Sequence, residues 1–192
     1  SFLDYHDKYP FDVIRSIECE EGTYGRYLKC LDSPVGTYST SGVIYPNLTS
    51  PGHFGNRTGQ SIQFACSKGT YQPLPGQISC LNASSGHYVD QIGQSTQTQC
   101  NAGTYNPNNS STNSSSCLDA DVGNFVNSSG SSYQTECNLG TYQPSTGQTS
   151  CIDAQAGYYV NLTGQSSEIA CSLGTYQPST GQTSCIDAQA GY

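Results

Sequence analysis

Ten cysteines divide this chain at near-regular intervals, standing at Cys19, Cys30, Cys66, Cys80, Cys100, Cys117, Cys137, Cys151, Cys171 and Cys185. Successive gaps are 11, 36, 14, 20, 17, 20, 14, 20 and 14 residues. An even count at repeating spacing, with no Cys-x2-Cys pair of the kind a cytosolic metal site uses, is the profile of an oxidised extracellular protein. The rest of the composition leaves little alternative to covalent staples. Ile, Leu, Val and Phe together number 31 of 192 residues. So few large apolar side chains cannot offset an ordering entropy of about 1–2 kcal/mol per residue.

Most gaps combine as 14 plus 20, giving a period near 34 residues. One half of each repeat opens Cys-x-x-Gly-Thr-Tyr, at Cys19, Cys66, Cys100, Cys137 and Cys171. The other half opens with a cysteine and reaches Gly and usually an aromatic some six residues on, as in CLNASSGHYV from Cys80, CLDADVGNFV from Cys117 and CIDAQAGYYV from Cys151. The segment Leu139–Tyr158 recurs letter for letter at Leu173–Tyr192. About 16 additional residues follow Cys30; without them, Gly52-His53-Phe54 aligns with Gly86-His87-Tyr88. The pattern stops in mid-repeat, as the front of a longer array would.

Cys-x2-Gly-Thr-Tyr-x-Pro-x-x-Gly-x-x-x-Cys resembles the GCC2/GCC3 repeat, or ephrin-receptor-like cysteine-rich repeat, a relative of EGF-like and TNF-receptor-like modules. The resemblance runs from Cys19 to Tyr192. With the turn formers of Tyr142–Gly147, it implies small disulfide-rich β/loop repeats. The expected architecture is an elongated tandem array of short β-hairpins, with almost no helix and an extended N-terminal β-arm. The expected divisions are the arm at 1–18, a first repeat with an insertion at 19–65, repeats at 66–99, 100–136 and 137–170, and a partial repeat at 171–192.

Repeats of the family often carry Cys-x2-Cys at their joints; here Ser33, Ala83, Ala120 and Ala154 stand at the second joint position. Gln63, Gln97, Gln134 and Glu168 stand where the partners of those cysteines would be. Joint loss of both members implies that they formed one disulfide in the family. The resemblance then implies the short-loop pairs Cys19–Cys30, Cys66–Cys80, Cys100–Cys117, Cys137–Cys151 and Cys171–Cys185. The rival scheme, joining Cys151 to Cys171 and so on, leaves Cys19 and Cys185 unpaired within the chain.

The first seventeen residues differ from the repeats. Leu3, Tyr5, Tyr9, Phe11, Val13 and Ile17 alternate with polar residues, a strand signature with one face buried. Such an arm either folds back on its own first repeat, using Val43–Tyr45 or Ser61–Phe64, or adds as a strand to a neighbouring subunit.

N-glycosylation sequons occur at Asn47, Asn56, Asn82, Asn108, Asn109, Asn113, Asn127 and Asn161, so eight of the twelve asparagines are acceptors. No nucleophile motif and no metal-ligand spacing stands out, so neither an enzyme nor a cofactor is expected. His53 and His87 share one repeat position and read as structural. Asp32, Asp119, Asp153 and Asp187 recur once per repeat, too few for the six to eight oxygens of a calcium ion, and read as turn formers. The fifteen tyrosines are the expected core of the repeats. All six basic residues precede position 69, and seven acidic residues follow it, which disfavours nucleic acid. No apolar run is long enough to span a bilayer. The chain opens at Ser1 and has no methionine, as expected after removal of a signal peptide.

Near-identical repeats and dense sequons favour a self-assembling structural subunit of a glycosylated extracellular fibril or surface appendage, joined head to tail through the arm. The alternative is the stalk or ectodomain of a cell-surface receptor or adhesion protein.

Overall fold

A computed structural model describes residues 18–26 and 29–189. The arm residues Leu3, Tyr5, Tyr9, Phe11, Val13 and Ile17 lie outside this range. The described residues form two compact units. One comprises those up to Leu81 together with Gln91–Thr96; the other comprises Asn82–Asp90 and those from Gln97 onward.

The fold is a succession of small disulfide-rich β-hairpins. Twenty short strands pair two by two, each with its neighbour in sequence. β1 (Thr23–Arg26) pairs antiparallel with β2 (Lys29–Asp32), and β3 (Thr37–Tyr38) with β4 (Asn47–Leu48). β5 (His53–Phe54) pairs with β6 (Phe64–Ala65), and β7 (Thr70–Tyr71) with β8 (Leu81–Asn82). The pattern continues through β9 (His87–Tyr88) with β10 (Thr98–Gln99), β11 (Thr104–Tyr105) with β12 (Leu118–Asp119), and β13 (Asn124–Phe125) with β14 (Thr135–Glu136). β15 (Thr141–Tyr142) with β16 (Ile152–Asp153), β17 (Tyr158–Tyr159) with β18 (Ile169–Ala170), and β19 (Thr175–Tyr176) with β20 (Ile186–Asp187) complete it. A single 3-10 turn at Ser114–Ser116 is the helical element among the described residues.

The Cys-x-x-Gly-Thr-Tyr motif has a local cause. Thr141 N–H donates to Asn138 O at 3.0 Å and Thr141 Oγ1 to the same oxygen at 2.8 Å, closing a turn in which Gly140 has φ +78°. A positive φ at the third turn position favours glycine, and the threonine hydroxyl secures the turn. Thr70, Thr104 and Thr175 repeat the arrangement.

Apart from β3–β4, these hairpins are the halves of the near-34-residue repeats, and each half opens on the same kind of two-stranded pairing. The residues after Cys30 that interrupt the period are one complete additional hairpin, β3–β4, headed by Ser33. Gln63 accordingly belongs to β5–β6 and serves Ser50, beside Thr49, rather than Ser33. The segments considered as partners for the arm are engaged in this scheme: Val43 O accepts the Gly25 N–H at 3.0 Å, and Phe64 pairs with Phe54.

The core is smaller in grain than the tyrosine count implies. Cys66, Cys100 and Cys137, Ala83, Ala120 and Ala154, and Val89, Val126 and Val160 are buried. Tyr105, Tyr142 and Tyr159 sit half-buried on the hairpin faces, paired across the strands with Leu118, Ile152 and Ile169, while Tyr45, Tyr133, Tyr158 and Tyr176 are exposed. Close main-chain approach between successive hairpins leaves room inside for small side chains and for loop-bonding amides such as Gln72, Asn106 and Gln143.

Candidate functional site

Two kinds of hairpin alternate, and the alternation sets out the chemistry of the surface. In the first kind a disulfide joins the residue four before the first strand to the residue just before the second, or, for Cys30, to one within it. Cys137–Cys151 is typical, with Cα atoms 5.7 Å apart; Cys19–Cys30, Cys66–Cys80, Cys100–Cys117 and Cys171–Cys185 are the others. No described cysteine is free. A buried amide follows the aromatic in these hairpins. Gln143 Nε2 donates to Ser150 O at 2.8 Å and Gln143 Oε1 accepts from Ser145 N at 3.0 Å, closing the loop; Gln72 and Gln177 do the same.

In the second kind the two cysteine slots hold Ala83 and Gln97, Ala120 and Gln134, or Ala154 and Glu168. The alanines are fully buried. The long side chain opposite reaches across to the main chain. Gln97 Oε1 accepts the Ser84 N–H at 2.8 Å, Gln134 Oε1 the Asp121 N–H at 2.7 Å, and Glu168 Oε2 the Gln155 N–H at 2.7 Å. A side-chain-to-backbone hydrogen bond thus stands where a sulfur bridge stands in the neighbouring hairpins. It contributes about 1 kcal/mol, against about 3 kcal/mol for a disulfide closing a loop of this size. The double change Ala120→Cys with Gln134→Cys is therefore expected to oxidise to a further bridge and to raise local stability by about 2 kcal/mol, the difference of those two figures. A thiol titration that finds two free sulfhydryls in the folded variant would refute the equivalence of the slots.

Successive hairpins are tied by main-chain bonds within each unit. In the second unit, Gly123 N–H donates to Gln143 O at 2.8 Å, Val126 N–H to Gln148 O at 2.9 Å, and Gly147 N–H returns to Ala120 O at 2.8 Å. The same three bonds join β11–β12 to β13–β14 and β15–β16 to β17–β18. In the first unit Gly36 donates to Gly55 O, Ser39 to Gln60 O, and Gly59 to Ser33 O. The turn glycines Gly22, Gly36, Gly52, Gly86, Gly103, Gly123 and Gly140 each also meet a loop glycine two hairpins on. A Cβ placed on Gly123 would lie 2.0 Å from Gly164 O, and one on Gly86 would lie 2.0 Å from Gly130 O.

The asparagines of all eight sequons are exposed: Asn47, Asn56, Asn82, Asn108, Asn109, Asn113, Asn127 and Asn161. Three of them are equivalent. Asn56, Asn127 and Asn161 occupy one loop position, just after the buried Gly55, Val126 and Val160 of three disulfide-free hairpins. In the disulfide-bearing hairpins Pro73, Pro107, Pro144 and Pro178 hold that position. At this loop position sequons stand only on sulfur-free hairpins, although Asp90 replaces the asparagine in β9–β10 and four other sequons lie on disulfide-bearing hairpins. Asn82 lies in β8, and Asn108, Asn109 and Asn113 crowd the enlarged loop between Cys100 and Cys117.

His53 and His87 take equivalent half-buried places at the starts of β5 and β9, each with Nδ1 near a turn carbonyl, Pro51 O at 3.2 Å and Ser85 O at 3.0 Å. Asp32, Asp119 and Asp153 lie over the loop glycines Gly59, Gly147 and Gly181. Among the described residues no cluster of His, Cys, Asp and Glu is arranged to hold a metal ion. No helix among them is long and apolar enough to cross a membrane.

No curated protein matches the chain. Five disulfides and a receptor-like cysteine-rich module assign it to an extracellular or cell-surface setting. Residues 157–187, the hairpins β17–β18 and β19–β20, match the family described as tyrosine-protein kinase ephrin type A/B receptor-like, so one pair of unlike hairpins in this chain is similar to the cysteine-rich module of that family.

Proposed function

We propose that this chain is a glycan-bearing spacer of an extracellular surface, acting as the stalk or ectodomain segment of a receptor or adhesion protein and carrying no catalytic site or cofactor. The observation that supports this best is that all eight sequon asparagines are exposed on a disulfide-stapled array, three of them at one fixed loop position of sulfur-free hairpins. The same main-chain coupling recurs from hairpin to hairpin within each unit, as a repetitive spacer requires. The match of residues 157–187 to a receptor-like module favours the stalk over other extracellular roles. The acidic character beyond residue 68 weighs against nucleic acid as a partner.

A structural subunit of a glycosylated fibril, joined head to tail, is the second reading, and the near-identity of successive repeats, with Leu139–Tyr158 recurring letter for letter at Leu173–Tyr192, supports it. Light scattering and electron microscopy of the glycosylated chain separate the two: monodisperse single particles support the spacer, and growing filaments support the fibril. The glycan component has its own check. Secreted material treated with peptide N-glycosidase should lose mass and show Asn-to-Asp conversion at Asn56, Asn127 and Asn161; conversion at none of them would remove the reading.

A further inference from the structure

Transfer of an N-glycan uses two groups of a sequon together, the asparagine amide and the hydroxyl two residues on. The asparagine Nδ2 forms a bond to the anomeric carbon of a lipid-pyrophosphate-linked oligosaccharide. The bond from that carbon to the pyrophosphate oxygen breaks, the lipid pyrophosphate leaves, and an amide proton passes to a carboxylate base of the transferase. A hydroxyl fixed inside the acceptor's own fold is not available to that reaction.

The eight sequons differ in this respect. Thr58, Ser129 and Thr163, which serve Asn56, Asn127 and Asn161, are exposed in loops; the Thr163 Oγ1 donates to Glu136 Oε2 at 3.0 Å, a contact open to solvent. Thr49, which serves Asn47, is fully buried. Its Oγ1 accepts the Gln77 N–H at 3.1 Å, its own N–H donates to Gly36 O at 3.0 Å, and its carbonyl accepts from Gly76 N at 2.8 Å. Asn47 itself is held in β4 opposite Tyr38. Ser111, which serves Asn109, is 8% exposed. Its Oγ accepts from Asn106 Nδ2 at 2.8 Å and its carbonyl accepts from Val89 N at 2.9 Å. The Asn109 amide is also engaged, since its Oδ1 accepts the Ser85 N–H at 2.8 Å.

We propose that the fold sorts the sequons by when they can be modified: Asn47 and Asn109 accept glycan only before their hairpins close, while Asn56, Asn127 and Asn161 stay competent in the folded chain. This rests on the reading of the chain as an extracellular glycoprotein. Occupancy at Asn47 and Asn109 then records a race between transfer and folding. For Asn109 the race is set by closure of the Cys100–Cys117 loop that encloses it.

The test uses unglycosylated, oxidised chain and the same chain reduced and alkylated, each incubated with purified oligosaccharyltransferase and a lipid-linked oligosaccharide. Site occupancy is read by mass spectrometry. The unfolded chain should take glycan at all five sites. The folded chain should take it at Asn56, Asn127 and Asn161, and at Asn47 and Asn109 at least about tenfold more slowly, because those two need local opening. Asn106→Ala, which releases the Ser111 hydroxyl, should raise transfer to Asn109 in the folded chain and leave Asn47 unchanged. Equal transfer to Asn47 and Asn109 in folded and unfolded chain would overturn the sorting alone, as would a folded chain refusing glycan at every site. No transfer to the unfolded chain at any sequon would overturn the glycoprotein reading and this inference with it.

Discussion

Replacing Gly123 with alanine should uncouple one hairpin from the others, and replacing Gly93 should not. Both glycines have positive φ, +77° and +72°. A left-handed conformation costs an alanine about 1–2 kcal/mol at either position. Their surroundings differ. The new methyl at Gly123 would lie 2.0 Å from Gly164 O and 2.7 Å from its carbonyl carbon, while at Gly93 its nearest neighbours are the Ala65 and His53 side chains at an ordinary 3.8 Å. Main chain held by three hydrogen bonds cannot step aside cheaply, so overpacking adds about 1–3 kcal/mol at Gly123. Gly123→Ala is therefore expected to lose about 3 kcal/mol or more, and Gly93→Ala about half of that. Amide exchange at Gly123 and Val126, whose N–H groups bond to Gln143 O and Gln148 O, should accelerate in the first variant only. Equal losses in the two variants would mean that the glycine contact contributes nothing to coupling.

The second large effect is removal of a sulfur bridge. Cys137→Ala with Cys151→Ala opens a loop of sequence separation 14 and should destabilise its hairpin by about 3 kcal/mol. Because stability in such an array is local plus nearest-neighbour, exchange at Gly140 and Gln143 should rise by about two orders of magnitude while distant hairpins stay protected. Gln134→Ala, which removes the hydrogen-bonded staple next door, should cost about 1 kcal/mol. If the two variants lost the same amount, the covalent and hydrogen-bonded staples would be interchangeable in energy, contrary to the argument from chain entropy.

Much of this architecture was legible in the residues and some was not, for a definite reason. Gly140, Thr141 and Tyr142 announce a turn followed by a strand because each side chain, or its absence, has a local task. The alternation of staples left a trace too: Ala120 and Gln134 replace cysteine together because they fill one pair of slots. The task of Gln134 was invisible, since its partner is the main-chain N–H of Asp121 and a backbone donor has no signature in sequence. The coupling between hairpins was hidden likewise, being built from main-chain groups at Gly123, Val126, Gln143 and Gln148. Only the recurrence of glycine betrays it. Tyrosine misled because bulk suggested interior, whereas the interior is filled by alanine, valine, cysteine and hydrogen-bonded amides. The eight sequons were plain as a motif, but nothing in the letters distinguished Thr49 from Thr163.

The additional hairpin β3–β4 has one more implication. It enters as a half-period, and the glycines on either side still find their counterparts: Gly22 meets Gly59 and Gly36 meets Gly76. Because the joining groups belong to the backbone, any hairpin can follow any other, whatever its own closure. Growth and shrinkage of such a gene product can therefore proceed in odd or even numbers of modules. An odd step, as here, sets two sulfur-free modules side by side, and that neighbourhood is where pulling force or a protease would be felt first.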